Sequence, residues 1–233
     1  MLRQVLMAMG GSDVCRRMIV GFPATAAVVA KFVPGETIDE CLDVVRRLAD
    51  QGLHATIDHL GEDTTTPAQA SAAVDTYVTL LRRLAEAGLA DRAEVSVKLS
   101  ALGQALPDGD AVALANARTI CAAAAEAGTT VTLDAEDHTT TDRTHATLAA
   151  LREEFPTTGI VLQAYLHRCP DDCERLAVAG SRVRLCKGAY DEPASVAHRG
   201  RREVDESYLS CLRILMKGDG YPMVASHDPR MIA

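Results

Sequence analysis

The sequence lacks the features of membrane-spanning, nucleic-acid-binding and dinucleotide-binding proteins. No apolar run approaches the roughly 20 residues that a helix needs to cross a bilayer. Acidic residues outnumber basic residues by 32 to 24, and the net charge of −8 argues against a nucleic-acid partner. No G-x-G-x-x-G motif follows a predicted strand, which disfavours a Rossmann domain. The amino-terminal segment lacks the order of regions that a secretory signal has, so we expect a cytoplasmic protein.

The cysteines indicate reduced thiols rather than a disulfide framework. There are seven of them, an odd number, and no C-x-x-C redox motif is present. Cys169 and Cys173 enclose a C-P-D-D-C run, but no second pair stands at the spacing of a zinc site.

An apolar stripe near the amino terminus has helical spacing. Such a stripe usually packs on the protein's own core, but it also allows peripheral contact with the inner face of a membrane. Its residues are Leu2, Val5, Leu6 and Met9.

Six apolar segments of period two alternate with helical segments, at a spacing of about 30 residues that is typical of repeated βαβ units. The predicted strands are 54–61, 94–100, 130–137, 159–166, 182–190 and 222–228, and the predicted helices are 37–52, 67–88, 110–127, 142–155, 170–178 and 204–217. No linker interrupts the alternation. We therefore predict a helical segment over 1–52 and, over 53–233, an α/β barrel of the (β/α)8 TIM type with about six βα units.

Charged residues end several of the predicted strands. Period two places Lys98, Asp134 and Arg184 on the strand faces opposite the apolar residues, which predicts that the three side chains point into the barrel. The carboxyl ends of barrel strands share one mouth, where the chemistry of such folds is found. Buried charges need partners or a ligand, so this mouth is the predicted site.

The residue types leave several chemistries open at this mouth. Lys98 suits an ion pair with Asp134 or Glu136, recognition of an anionic group, or a Schiff-base aldolase mechanism, for which Lys187 is the other candidate. Gln163 and the neighbouring Tyr165 suit hydrogen bonds to a heterocycle. A metal-dependent hydrolase is a further alternative, because histidines end three different strands, but their spacing matches neither H-x-H nor H-E-x-x-H. These are His59, His167 and His227.

Several short strings appear in the order and spacing of one family. They are FVPGET (32–37), LGE (60–62), SVKLSALG (96–103), LDAED (133–137), GIVLQAYLHR (159–168), RLCKGAY (184–190) and SHDPRMIA (226–233). Together they resemble proline dehydrogenase of the bacterial monofunctional type, a flavin-dependent barrel enzyme. The resemblance implies oxidation of L-proline to Δ1-pyrroline-5-carboxylate, with FAD as cofactor and a quinone as the electron acceptor.

The resemblance also implies roles for individual residues. Asp134 and Arg184 match the family's catalytic positions. The matches to substrate-binding positions are Lys98, for the proline carboxylate, Leu185 and Tyr190, for the ring, and Glu62, an acidic gate residue. The matches to flavin-contacting positions are Ala135, Gln163, Lys187, Gly188, Ala189, Ser226 and His227.

The sequence departs from the family pattern at its carboxyl end. Further barrel units, including a helix with paired arginines that hold the substrate carboxylate, are expected after Ala233. We therefore expect a truncated family member with little activity on proline by itself. The alternatives are a Schiff-base aldolase, a related flavin barrel that acts on folates, and an inactive barrel fragment.

Overall fold

A computed structural model of the chain describes residues 35, 37–61 and 64–232, so the predictions for the apolar stripe and for Glu62 lie outside the described residues. The strands are β1 (Ala55–Asp58), β2 (Ala93–Val97), β3 (Val131–Leu133), β4 (Gly159–Gln163), β5 (Arg182–Cys186) and β6 (Tyr221–Val224). The α-helices are α1 (Ile38–Asp50), α2 (Pro67–Glu86), α3 (Gly109–Ala127), α4 (Thr141–Arg152), α5 (Cys169–Leu176), α6 (Arg201–Lys217) and α7 (Pro229–Ile232). Two 3₁₀ turns lie at Ala90–Arg92 and His138–Thr140.

The six strands form one parallel sheet in the order of the chain, β1 to β6. Right-handed crossovers between neighbouring strands place every connecting helix on the same side of such a sheet. The sheet then curls away from the helices, as in a (β/α) barrel, instead of reversing its order as in a doubly wound fold. The predicted alternation of six strands with helices and the predicted barrel type are confirmed.

The strands end earlier than their sequence patterns predict. The segment predicted over 130–137 is a strand only over Val131–Leu133, and one further ladder bond joins Asp134 N to Val97 O at 2.8 Å. At the ends of β1, β2 and β3, polar side chains bond to one another across the mouth. Between β4 and β5, backbone bonds continue beyond the strands, from Ala164 N to Cys186 O at 2.8 Å. Lys98, Asp134 and Lys187 therefore lie in the loops that directly follow the strands.

The two faces of the sheet differ in chemistry as the alternation predicts. Val95, Val97 and Leu133 are fully buried on the face that the helices cover. Polar residues occupy the opposite face, which we call the inner face, and they bond across it. Burial of the apolar set drives the docking of the helices, since each large apolar side chain contributes about 1.5–3 kcal/mol when it leaves water.

The helix boundaries follow from local sequence signals. The chain divides into two units between Leu53 and His54, and α1 lies in the first of them. α1 begins with a capping box in which Glu40 N donates to Thr37 Oγ1 at 3.3 Å, as the sequence predicts. In the second unit, α2 begins with Pro67 after its capping residue Thr66. None of the helices that the structure describes is long and apolar enough to cross a membrane.

We expect Thr66→Ala to destabilise the second unit by about 1 kcal/mol, because the change removes a side-chain cap from α2. Gln69 N donates to Thr66 Oγ1 at 3.3 Å, and Thr66 N donates back to the Gln69 side chain at 3.1 Å. Urea unfolding measures the effect. Thr119→Ala is the matched control, since Thr119 is exposed within α3 and alanine favours a helix. An equal loss of stability in both variants would contradict the capping role.

Candidate active site

The inner face has an ion pair near the amino ends of the strands. Arg182 of β5 lies 2.7 Å from the Glu94 carboxylate of β2, although the two strands are not neighbours. Thr56 donates to the same carboxylate at 3.1 Å and Thr132 at 3.3 Å. The guanidinium of Arg182 also lies 5.0 Å from the centre of the Tyr221 ring, a cation–π arrangement. This charged layer closes the inner face below the mouth.

A second polar layer lies at the carboxyl ends and forms what we call the central cluster: Asp58, Ser96, Lys98, Asp134 and Arg184. Lys98 Nζ is 2.7 Å from Asp58 Oδ2 and 3.9 Å from Asp134 Oδ2. Arg184 is paired with the Asp134 carboxylate and donates to Ser96 Oγ at 2.6 Å, while Ser96 donates to Asp134 Oδ1 at 2.6 Å. The structure thus brings together the three residues that the alternation predicts to converge.

The central cluster presents both signs of charge to a partly open mouth. Its two cations and two carboxylates compensate one another, which charges at such a position require. The Lys98 side chain is 16% exposed and that of Asp58 is 29% exposed, so both can meet a ligand. A small zwitterion that carries a carboxylate and an amine finds complementary groups here.

Asp58 and Tyr77 are members of this site that the sequence analysis missed. The Tyr77 hydroxyl lies 2.8 Å from Ser96 O and 3.2 Å from Asp58 Oδ1, and it accepts from His59 N at 3.1 Å. Burial, aided by the nearby Asp58 carboxylate, raises the pKa of Tyr77, so the hydroxyl stays protonated and fixes Asp58. Asp58 could have been found from the sequence, because it ends β1 much as Lys98 directly follows β2 and Asp134 directly follows β3.

Buried hydrogen bonds hold the loops that follow β2 and β3 to the end of β4. The Glu136 carboxylate accepts from Ser100 N at 3.0 Å and from the Ser100 hydroxyl. The Gln163 side-chain amide donates to Glu136 O at 2.8 Å. These bonds orient Gln163 at the inner face, where its amide offers both donor and acceptor groups.

The loop after β5 is held by a second charge network. Lys187 pairs with Asp205 of α6 and, at 3.0 Å, with Asp228, while Arg230 lies 2.8 Å from Asp205 and also pairs with Asp228. The hydrogen bond to Asp205 raises the pKa of Lys187, and Lys187 in turn lowers the pKa of Asp205. Lys187 is therefore a charged ammonium. This is the wrong protonation state for the Schiff-base nucleophile that the sequence left open.

Gly188 directly follows Lys187 in the chain, and its backbone packs against the ring of Tyr165. Its φ of +112° is a conformation that side-chain-bearing residues rarely adopt, and a Cβ at this position would lie 2.3 Å from the Tyr165 ring. The ring is in turn fixed near Glu192, a buried carboxylate that pairs with His138. Burial first, and then the Glu192 charge, raise the pKa of Tyr165.

The remaining predicted site residues differ in how exposed they are and in which face of the sheet they take. Leu185 is fully buried on the opposite face of β5 from Arg184, so the structure does not bring it to the inner face. Ser226 Oγ accepts from Asp228 N at 3.1 Å. Of the others, Ala135 and Tyr190 are half-buried, whereas Ala189 and His227 are exposed.

The histidines considered for a hydrolytic metal site have different neighbours. The His59 ring lies edge-on to Tyr77 at 5.9 Å, and the His167 ring lies edge-on to His198 at 4.4 Å. Among the described residues, His59, His167 and His227 do not form a group at metal-ligand spacing. The arrangement of the mouth favours the binding of a small charged molecule by the central cluster.

Comparisons with known proteins agree on one family. A family model described as Proline dehydrogenase matches residues 41–233. The chain is 37% identical over 205 residues to the proline dehydrogenase of Deinococcus radiodurans, an alignment that covers 87% of this chain and 66% of the relative. It is 31% identical over 233 residues to proline dehydrogenase 1 of Bacillus subtilis, which covers 100% of this chain and 76% of that relative.

A solved structure supports the fold. The chain is similar to proline utilization A (PutA) of Bdellovibrio bacteriovorus, inactivated by N-propargylglycine, with a TM-score of 0.78 and 24% identity. The match covers 89% of this chain and 26% of that protein. At this identity the likeness concerns the fold.

We expect Gly188→Ala to destabilise the protein more than Gly180→Ala does. Both glycines have positive φ, but a Cβ at Gly180 would have nothing within 4 Å, whereas a Cβ at Gly188 would clash with Tyr165. The backbone strain costs about 1–2 kcal/mol in each variant. The clash adds about 1–3 kcal/mol for Gly188→Ala alone. Urea unfolding of the two variants checks this, and equal losses would show that Tyr165 moves aside freely.

Proposed function

The chain belongs to the proline dehydrogenase family, and from this premise we propose that the protein oxidises L-proline to Δ1-pyrroline-5-carboxylate with FAD as its cofactor. The observation that carries the proposal is the central cluster, which offers two cations and two carboxylates at the mouth of the barrel. The chain spans 66% of the length of the Deinococcus relative and 26% of the length of the PutA protein. Activity, substrate and cofactor are therefore stated here as proposals.

We assign the substrate carboxylate to Lys98. An ammonium has three N–H groups, so Lys98 can bond to a carboxylate while it keeps its ion pair with Asp58. Tyr77 fixes Asp58 from behind, which limits the motion of the pair. This preorganisation lowers the entropic cost of binding a small amino acid. In this proposal Tyr190, which is half-buried in the loop after β5, covers the ring.

Asp134 and Arg184 act on the reacting end of the substrate in this proposal. Their mutual ion pair and their hydrogen bonds with Ser96 fix both side chains. The proposed reaction assigns no nucleophilic role to either of them. The guanidinium offsets negative charge that develops during the reaction, and the carboxylate keeps the guanidinium in place. Oxidation of an amine by hydride loss needs such positioning and a cofactor rather than covalent catalysis.

The chemistry of three side chains supports a flavin as the cofactor in this proposal. Gln163 supplies an oriented primary amide, Arg184 a guanidinium and Ser226 a hydroxyl, which are groups that can bond to the N–H and C=O groups of such a ring. When bound, FAD supplies the two-electron acceptor for the hydride that proline loses. Lys187 is neutralised by two carboxylates, so we assign it to ordering the loop that brings the Gly188 and Ala189 backbone to the cofactor.

Three further assignments follow the family resemblance. Ala135 and His227 line the cofactor site in this proposal, and Glu62 acts as the acidic gate to the substrate. A quinone would be the electron acceptor. The amino-terminal apolar stripe would bring the protein to the membrane surface where quinones reside.

An anaerobic titration tests the proposal as a whole. The chain is purified with FAD, and its visible spectrum is followed while L-proline is added. Anaerobic bleaching needs only one hydride transfer per flavin, so we expect a protein-bound flavin band that L-proline bleaches even where steady-state turnover by this chain is low, and that D-proline leaves unchanged. A band that L-proline leaves unchanged would count against proline oxidation by this chain, and failure to retain flavin would count against the cofactor assignment.

We predict that Lys98→Met raises the L-proline concentration needed for half-maximal bleaching by about 10-fold to 100-fold, since a hydrogen bond to a charged group contributes about 1.5–3 kcal/mol. Lys217→Met is the matched control, because Lys217 is exposed at the end of α6. The same shift in both variants, or none in Lys98→Met, would remove Lys98 from the substrate site.

We predict that Asp134→Asn slows flavin reduction by at least about 10-fold, because the change removes the charge that holds Arg184. Stopped-flow reduction and thermal melting are measured in parallel. Asp91→Asn serves as the control, since the Asp91 side chain is 70% exposed beside Arg92. A large loss of melting temperature with an unchanged reduction rate would make Asp134 structural.

A further inference from the structure

Three cysteines meet on the outer side of the barrel, away from the central cluster. Cys169 and Cys173 belong to α5, and Cys211 belongs to α6. The sulfur atoms of Cys169 and Cys173 are 3.9 Å apart, and all three sulfurs lie within 4.8 Å of one another. All three are free thiols. Among the described residues, this is the group of potential ligands that has metal-binding spacing.

Helix geometry explains why the thiols converge. Residues four apart lie on the same face of a helix, so Cys169 and Cys173 both face α6, against which α5 packs. Cys211 completes the triangle from the facing helix. The three residues are 1%, 0% and 0% exposed, respectively. The sequence showed only the C-P-D-D-C pair, because the third cysteine is 38 residues further along the chain.

The separation of the Cys169 and Cys173 sulfurs, 3.9 Å, matches a coordination sphere, and the Cys211 sulfur lies within 4.8 Å of both. Metal–sulfur bonds of about 2.3 Å place sulfurs about 3.8 Å apart in tetrahedral geometry and about 4.0 Å apart in trigonal geometry. Thiolates are the ligands that select Cu⁺ and Zn²⁺ over harder ions such as Mg²⁺ and Ca²⁺. We propose that Cys169, Cys173 and Cys211 form a binding site for one thiophilic d¹⁰ metal ion of the Zn²⁺, Cd²⁺ and Cu⁺ class.

Such an ion needs thiolate ligands, and Cys169 opens α5, where the helix dipole stabilises negative charge. Within the metal-free cluster, hydrogen bonds among the thiols lower the pKa of Cys211 and raise that of Cys169, and the pKa of Cys173 is raised as well. A bound ion would therefore have to displace thiol protons. Each metal–sulfur bond replaces an S–H bond, and the displaced proton goes to solvent.

A metal ion at this position would join two consecutive βα units. α5 follows β4, which carries Gln163, and α6 follows β5, which carries Arg184. The ion would cross-link the outer helices of these units and stabilise their docking, by an amount that grows with the free metal concentration. It would take no part in proline oxidation, so its test does not depend on the proposed function.

The test is a Cd²⁺ titration of the full chain, purified without an affinity tag, reduced and stripped of metal with a chelator. We expect a thiolate-to-cadmium charge-transfer band in the ultraviolet that saturates at one equivalent, together with a higher melting temperature. Cys211→Ser should lose the band. Cys121→Ser is the matched control and should keep it, because Cys121 is a buried thiol on α3 whose sulfur lies 3.9 Å from Thr158 Oγ1.

A measurement on the unmutated chain covers the case in which Cys211→Ser does not fold. X-ray absorption at the cadmium edge should give three sulfur neighbours for the one-to-one complex. Two or fewer sulfur neighbours, or the absence of a saturable band, would overturn the proposal. A folded Cys211→Ser variant that keeps the band would overturn it as well. Neither measurement requires FAD or proline, so the result stands whether or not the chain oxidises proline.

Discussion

Charge pairing across the inner face of the sheet is the constraint on which the rest of the structure depends. Glu94 and Arg182 join β2 to β5 near the amino ends, and Asp134 and Arg184 join the ends of β3 and β5 at the mouth. A partly buried charge without a partner would cost several kcal/mol of stability, so removal of one member of either pair is expected to be strongly destabilising. Because two strands separate β2 from β5, a distance of about 14 Å in a flat sheet, curling of the sheet brings Glu94 and Arg182 within reach of each other. The charge pairs of the inner face therefore form together with the curvature of the sheet.

The sequence was sufficient for the strand order, the helix positions and the convergence of Lys98, Asp134 and Arg184. Period two decides which face each side chain takes, and sequential parallel strands bring their carboxyl ends to one edge. The positions where strands end were less predictable. Polar residues beyond Leu133 keep the alternation of a strand, but after the last ladder bond, at Asp134 N, their side chains make the contacts between neighbouring segments.

Partners that lie far apart in the chain were beyond the reach of the sequence. The expected partner of Lys98 was Asp134 or Glu136, but Asp58 is closer, because β1 is the immediate neighbour of β2 and its last residue lies beside Ser96. Asp205 pairs with Lys187 from the second turn of α6, and no pattern in either segment predicts that contact. Such pairings depend on how far a helix rotates and slides as it docks, which periodicity does not determine.

The α6 helix joins the outer helices of the barrel to the ends of its strands. Ser207 donates to Ala164 O at 2.6 Å and Tyr208 donates to Leu185 O at 3.1 Å, so neighbouring residues of one helical turn hold the ends of both β4 and β5. Cys211 lies one turn further along the same helix and faces the two thiols of α5. A rotation of α6 that separated the three thiols would also displace the hydrogen bonds that fix Gln163 and Arg184 through their strands. The thiol cluster and the mouth therefore depend on the same docking of α6, although they lie on opposite sides of the sheet and share no side chain.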